Sequence, residues 1–149
     1  MIESVDQGSE TMSRLFAYGT LMCQDIMQAV SGCRLSRMPG ILQGYCRRAV
    51  KHQVYPAILP DTHSSVAGIV SFNVPPDAWH RLDLFEGDMY FREKVEIDLE
   101  NGERVSAQTY VAKPRYRMHL EDVAWDHEAF LSRGKTTFER EYIGFRSLP

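Results

Sequence analysis

The stretch Trp79-His80-Arg81-Leu82-Asp83-Leu84-Phe85-Glu86 carries a carboxylate where a core-facing helix would normally carry an apolar side chain. Written as a helix, it places Trp79, Leu82 and Glu86 at i, i+3 and i+7 on one face that should point at the core. Gly87 ends the helix directly behind Glu86. A carboxylate facing a core is costly unless it is paired or neutral, so the position indicates a functional acid. The alternative is that Glu86 simply ends the helix in solvent.

The composition is that of an ordinary globular chain. Its 149 residues are 44% hydrophobic and 25% charged, and the formal net charge of −3 gives no basic footprint for nucleic acid. No apolar run approaches the ~20 residues that cross a bilayer, so we expect no membrane partner. The polar start predicts a flexible tail over residues 1–13, without a signal peptide, before a single domain over residues 14–149.

Cysteine usage predicts a cytoplasmic protein with no metal site. Cys23, Cys33 and Cys46 are odd in number, widely spaced and contain no C-x-x-C pair. Free thiols are typical of a reducing cytosol. Cys46 and His52 form a possible nucleophile pair, but no third residue orients them, so a strand cysteine beside a loop histidine is the favoured interpretation.

The order of predicted elements indicates an α+β domain. Apolar runs and alternation predict strands over residues 15–18, 41–50, 55–60, 65–74, 91–99 and 105–112. Helical spacing predicts helices over residues 22–30, 75–86, 123–132 and 137–143. Turns are expected at Pro39-Gly40 and Asn101-Gly102, and Arg133-Gly134 should separate the last two helices. Antiparallel hairpins dominate this order, which favours a small mixed sheet or barrel with flanking helices.

A second motif, Tyr18-Gly19-Thr20-Leu21, lies between the first strand and the first helix. A glycine at this junction allows a turn whose backbone N–H groups face outward at a helix N-terminus, where they can hold a carboxylate or an oxyanion. Such junctions are common, so a plain turn is the alternative. If the motif binds a ligand, Gly19 should have a positive φ or approach another backbone segment closely.

Three motifs together carry a family resemblance. They are Tyr18-Gly19-Thr20-Leu21, Tyr55-Pro56-Ala57, and Leu82-Asp83-Leu84-Phe85-Glu86-Gly87 followed by Tyr90 and Arg92. Over residues 15–112 the chain resembles the gamma-glutamylcyclotransferase-like superfamily, in particular its AIG2-like and gamma-glutamylamine cyclotransferase branch. The resemblance implies a small mixed β-barrel with flanking helices, and a reaction that needs no cofactor and no metal.

In that reaction the α-amino group of a γ-glutamyl amide attacks the substrate's own side-chain carbonyl. The products are 5-oxoproline and a free amine. The loop reads Gly-Thr-Leu without an extra Asn, and the segment from Glu86 to Tyr90 is short. Both features favour the amine-accepting branch over the dipeptide-accepting one.

The resemblance assigns a role to each candidate residue. Glu86 is the general acid/base, and its place on an apolar helix face is expected to raise its pKa. The substrate-binding residues implied are Tyr18, Gly19, Thr20, Leu21, Pro56, Tyr90, Arg92 and Tyr110. Core packing is an equal interpretation of Tyr110. Arg92 could pair with Glu86 or with a substrate carboxylate, and an exposed strand position is an equal interpretation. Other functions stay open: a non-catalytic module that binds a small carboxylate, or a hydrolase in which Glu86 activates water.

Overall fold

A long antiparallel hairpin forms the largest part of the sheet in the computed structural model, which describes residues 13–148. Its strands are β2 (Arg37–Val50) and β3 (Pro56–Ser71). Their pairing runs from Arg37 opposite Ser71 to Ala49 opposite Pro56, with a bulge between Gln43 and Tyr45. The separate strands expected over 55–60 and 65–74 are therefore parts of one strand, and β2 pairs with both parts on either side of residues 61–64, which have no partner in this register.

Three further strands close this hairpin into a mixed barrel. The short β1 (Leu15–Ala17) pairs antiparallel with β3 and parallel with β5 (Arg104–Ala112), and β5 forms a hairpin with β4 (Tyr90–Leu99). The order is β3-β1-β5-β4-β2, and the β2–β3 pairing closes it. A sixth strand, β6 (Leu120–Ala124), pairs antiparallel with the end of β2 and is not part of the closed barrel. The predicted α+β class with a small mixed barrel and flanking helices is confirmed.

Alternation along the strands produces two apolar layers. The first, which includes Phe16, Leu42, Val70 and Ile97, fills the barrel. The second lies between the barrel and the helices and includes Leu15 and Ala17, which flank Phe16 on the opposite face of β1. The candidate site lies where these two layers meet at the end of β1.

The helices pack on one side of the barrel. They are α1 (Gln24–Ser31), α2 (Pro76–Glu86), α3 (His127–Ala129) and α4 (Lys135–Glu141), with a π-helical turn over Phe130–Gly134 and 3-10 turns over Thr20–Met22, Pro114–His119 and Ile143–Ser147. α2 begins with a proline in its first turn and ends at Gly87, whose φ is +80°. Its buried face contains Trp79 and Leu82, as the spacing predicts, and also Phe85.

Several predicted boundaries are wrong. Pro39-Gly40 is not a turn but lies within β2, where the Pro39 carbonyl accepts a hydrogen bond from the N–H of Glu100 (3.1 Å). A side chain on Gly40 would meet Ile97 at 2.6 Å, so the glycine permits close packing there. The first helix starts at Gln24 and not at Met22, which belongs to the 3-10 turn.

The C-terminal prediction also needs correction. Val123 and Ala124 belong to β6, because Ala124 pairs with Arg48, and the helical segment begins only after Asp126, whose side chain caps it. Arg133-Gly134 does not separate two helices; it lies in the π-helical turn that joins α3 to α4. Gly134 is buried against Val54, where a Cβ would lie 3.0 Å from the valine Cβ. Tertiary packing therefore explains this glycine.

Two expectations concern the chain as a whole. The predicted tail over residues 1–13 falls, except for Ser13, outside the described residues. Within residues 13–148, none of the helices combines the length and the apolar character that crossing a bilayer requires.

Candidate active site

A cleft opens where the end of β1, the start of β3, the end of α2 and the helix α4 meet. It encloses about 400 Å³, its open mouth included. Of the predicted site residues, the cleft is lined by Tyr18, Gly19, Thr20, Leu21, Pro56, Glu86, Tyr90 and Tyr110.

Glu86 lies on the wall of this cleft at the last turn of α2. Among residues 13–148, no hydrogen bond or ion pair engages its carboxyl group. Burial, and to a smaller extent the negative charge of Asp83, together raise its pKa to about 8. A carboxyl with a pKa near neutrality can both accept and donate a proton at physiological pH.

The loop Tyr18–Leu21 faces Glu86 across the cleft. Within the described part of the chain, no hydrogen bond uses the backbone N–H groups of Gly19, Thr20 or Leu21. They are the first donors of the 3-10 turn Thr20–Met22, where a helix leaves N–H groups unsatisfied. Such donors suit a carboxylate or an oxyanion.

Gly19 permits a close contact between this loop and β3. A Cβ on Gly19 would lie 2.8 Å from Cγ and 2.9 Å from Cδ of Pro56. Its φ is −136°, so the expected positive φ is wrong, and the close approach is to the side-chain ring of Pro56 rather than to another backbone segment. Pro56 therefore forms a rigid edge of the cleft beside the loop.

Tyrosine hydroxyls around Glu86 are held by hydrogen bonds that fix their rings. Tyr18 Oη donates to the Tyr110 carbonyl (2.6 Å), and Tyr90 Oη donates to the Pro56 carbonyl (2.8 Å). Burial raises the pKa of Tyr18, Tyr90 and Tyr110 above the ordinary tyrosine value, so all three stay protonated. The cleft is thus walled by neutral, pre-positioned aromatic rings.

Arg92 is not among the cleft-lining residues. Its Nη2 lies 3.3 Å from Oδ2 of Asp83, and its guanidinium carbon lies 4.7 Å from the centre of the Trp79 ring. The ion pair with Glu86 considered from the sequence is therefore replaced by one with Asp83, one helical turn earlier. Its role in substrate binding stays a prediction.

Sequence reasoning missed part of the cleft wall. Tyr55, Phe85, Phe138 and Tyr142 also line it, and Tyr142 Oη donates to the backbone carbonyl of Glu86 (3.1 Å). Phe138 is buried between the barrel and the helices. The i, i+4 spacing of Phe138 and Tyr142 is the signal that places both rings on one helix face.

Metal-binding side chains do not converge in the part of the chain that the structure describes. Among residues 13–148, no group of three or more His, Cys, Asp or Glu side chains is placed to hold a metal ion. Cys46 lies within β2, whereas His52 lies on the turn that follows it and has a φ of +63°.

The comparisons with known proteins agree with this geometry. The family model described as gamma-glutamyl cyclotransferase, AIG2-like, matches residues 15–127. The chain belongs to this family. AIG2-like protein D of Arabidopsis thaliana is 36% identical over 110 residues, which are 70% of this chain and 70% of that protein.

Solved structures show the same fold. The solution structure of an Arabidopsis thaliana protein has a TM-score of 0.67 at 26% identity and covers 86% of each chain. A structure named gamma-glutamyl cyclotransferase has a TM-score of 0.61 at 17% identity and covers 70% of this chain and 73% of that one. This AIG2-like chain thus has the fold of the cyclotransferases.

Proposed function

We propose that this AIG2-like chain releases 5-oxoproline and a free amine from a γ-glutamyl amine, with Glu86 as the general acid/base. One observation carries the proposal: the unpaired Glu86 carboxyl and the N–H groups of the Tyr18–Leu21 loop line the same cleft. Family membership supports cyclotransferase chemistry in general. The γ-glutamyl amine as substrate and Glu86 as the proton carrier are the parts proposed here.

The reaction is intramolecular, so the protein has to fold the substrate and move protons from the α-nitrogen to the leaving nitrogen. The ionised Glu86 takes a proton from the substrate α-ammonium, and the freed α-nitrogen attacks the side-chain carbonyl carbon. The new C–N bond closes a five-membered ring and leaves an oxyanion. When the oxyanion collapses, the original amide C–N bond breaks and Glu86 returns its proton to the departing amine. The ring nitrogen then gives its second proton to the ionised Glu86, which passes it to the amine, so the products are 5-oxoproline and an ammonium ion.

The backbone N–H groups of the Tyr18–Leu21 loop are suited to the negatively charged groups of the substrate. The N–H groups of Gly19, Thr20 and Leu21 would bind its carboxylate or the oxyanion as it forms. They are fixed before the substrate arrives, so little reorganisation is needed during the reaction. The aromatic walls keep water from the cleft, which favours ring closure over hydrolysis.

The test is product analysis with wild type and Glu86→Gln on a panel of γ-glutamyl amines and dipeptides. We expect 5-oxoproline from the wild type and a loss of at least about a thousandfold in kcat for Glu86→Gln, since amide cannot carry the proton. Glu100→Gln is the matched control, because Glu100 is exposed on the β4–β5 turn. Free glutamate as the product would indicate a hydrolase. Thermal protection by the panel without turnover would indicate a binding module.

A further inference from the structure

The described lining of the cleft contains a single carboxyl group and no basic side chain. Among the described residues that line it, Glu86 is the only one of the Asp, Glu, Lys, Arg and His types. A second charged group on the leaving amine, such as the carboxylate of an amino acid, would find no side chain of opposite sign there. Burying an unpaired charge is costly. The cleft therefore favours a leaving amine whose remaining atoms are uncharged.

The part of the cleft next to Glu86 is an aromatic wall, formed by Tyr55, Phe85, Phe138 and Tyr142. The ring centres are 5.2 Å apart for Tyr55 and Tyr142, 5.0 Å for Phe85 and Tyr142, and 4.6 Å for Phe138 and Tyr142. Packed rings of this kind offer flat apolar surface to a ligand.

Glu86 places the leaving amine beside this wall. In the proposed reaction the leaving nitrogen receives its proton from Glu86, so it must lie within hydrogen-bond distance of that carboxyl. Tyr142 is hydrogen-bonded to the Glu86 backbone, and Phe85 precedes Glu86 in α2. In the proposed function the glutamyl part of the substrate lies against the Tyr18–Leu21 loop. The substituent on the leaving nitrogen therefore extends along the aromatic wall.

Phe138 and Tyr142 lie beyond residues 15–127, the region that matches the family model. Phe138 is buried in the apolar layer between barrel and helices, and Tyr142 packs against it. This side of the cleft therefore depends on residues outside the matched region.

We propose, as an extension of the proposed function, that the preferred leaving amine carries an uncharged aromatic or bulky apolar substituent. Phe138 and Tyr142 determine this preference by packing against the substituent. The substrate class is then a γ-glutamyl arylalkylamine, distinct from a γ-glutamyl dipeptide.

The experiment compares kcat/KM for γ-glutamyl benzylamide, γ-glutamyl ethylamide and γ-glutamylglycine. We expect the benzylamide to exceed the ethylamide by about tenfold or more, as expected when several carbons enter an apolar pocket, and γ-glutamylglycine to be the poorest substrate. A preference for γ-glutamylglycine, or equal rates for the two amides, would overturn the proposal.

Variants of the aromatic wall test whether Phe138 and Tyr142 determine the preference for the benzylamide. Phe138→Leu and Tyr142→Leu should each reduce the benzylamide-to-ethylamide ratio about fivefold. A ratio does not depend on the fraction of folded enzyme, so partial unfolding does not mimic the effect. Phe145→Leu is the matched control: Phe145 packs 5.0 Å from Phe85 but is not among the cleft-lining residues. Unchanged ratios in both wall variants would exclude Phe138 and Tyr142.

A binding measurement separates this proposal from the proposed function. The N-benzyl and N-ethyl monoamides of glutaric acid lack the α-amino group and cannot cyclise. Calorimetry should show tighter binding of the benzyl compound to the wild type, and Tyr142→Leu should reduce the difference. If no γ-glutamyl amide is turned over, this difference in affinity still tests whether the aromatic wall prefers an aromatic substituent. Equal affinities of the two compounds would refute that preference even if the enzyme is active.

Discussion

The Tyr110 hydroxyl donates a 2.6 Å hydrogen bond to Oδ1 of Asp83, one helical turn before Glu86. Arg92 holds the other oxygen of the same carboxylate at 3.3 Å. Asp83 is thus fixed at the rim of the cleft, and its negative charge acts with burial to raise the pKa of Glu86. Tyr110 therefore has two tasks, because its ring lines the cleft and its hydroxyl positions the neighbouring charge.

Asp83→Asn should lower the pKa of Glu86 from about 8 towards its ordinary value. Burial is the larger cause and stays in place, so we expect only part of the shift to disappear. The change is measured as a shift to lower pH of the rising limb of kcat/KM, or by carboxyl NMR titration. Asp98→Asn is the control, because Asp98 pairs with Arg104 in the distant hairpin. An unchanged limb would exclude the influence of Asp83.

Glu86 should make the wild type less stable as the pH rises. Its pKa is about 8 in the folded protein, whereas a glutamate in an unfolded chain has its ordinary value of 4.5. Between these two pH values the folded state therefore binds more protons than the unfolded state. The free energy of unfolding therefore falls as pH rises from about 4.5 to about 8, and is flat above that. Glu86→Gln removes this loss.

We expect Glu86→Gln to exceed the wild type in stability at pH 9 by about 2–4 kcal/mol, less than the full shift because the Glu86 side chain is partly exposed. At pH 4 the two proteins should be nearly equal. Thermal melts across this pH range measure the difference, with exposed Glu100→Gln as the flat control. A difference that stays constant with pH would show that Glu86 titrates normally.

Gly19→Ala should damage the loop through Pro56. The new Cβ would lie 2.8 Å from Pro56 Cγ, and a proline ring cannot rotate away. We expect a cost of about 1–3 kcal/mol in stability, together with weaker substrate binding. Gly19→Ala combined with Pro56→Ala removes the clashing atoms and keeps the Pro56 carbonyl that Tyr90 uses. If the double variant binds no better than Gly19→Ala, the clash is not the cause.

The sequence predicts well those features of the fold that depend on the spacing of neighbouring residues. The period of α2 places Trp79 and Leu82 in the core and turns Glu86 towards the cleft, and Asn101-Gly102 forms the β4–β5 turn. These features depend on residues close together in the chain. The family resemblance adds the loop and the barrel topology, which periodicity alone does not provide.

What was missed depends on distant partners. Pro39-Gly40 has the composition of a turn, yet pairing with β3 extends it into a strand. Arg92 pairs with Asp83 and not with Glu86. Spacing alone cannot tell which of two carboxylates one helical turn apart lies next to the guanidinium. The aromatic wall was missed because the register of α4 on the barrel is set by packing, which brings Tyr142 next to Glu86 across 56 positions.

Arg47 is a positioning residue that no sequence signal identified. Its Nη1 donates to the Tyr18 carbonyl at 2.8 Å and to the Ala67 carbonyl at 3.1 Å, and its guanidinium lies 5.4 Å from the Trp125 ring centre. In a planar trans peptide the carbonyl and the following N–H point in opposite directions. Arg47 therefore holds the Tyr18 carbonyl and, with it, the orientation of the peptide plane that carries the Gly19 N–H.

Arg47→Met should lower kcat/KM by about tenfold, the value of one charge-assisted hydrogen bond, while leaving the pKa of Glu86 unchanged. Arg47→Lys keeps the charge and should restore part of the activity. The direct measurement is the amide ¹⁵N shift of Gly19, which responds to hydrogen bonding at the preceding carbonyl. Arg48→Met is the control, since Arg48 pairs with Asp122. If the Gly19 shift moves equally in both variants, Arg47 supports the barrel only; if it moves in Arg47→Met alone, Arg47 orients the donor that the substrate needs.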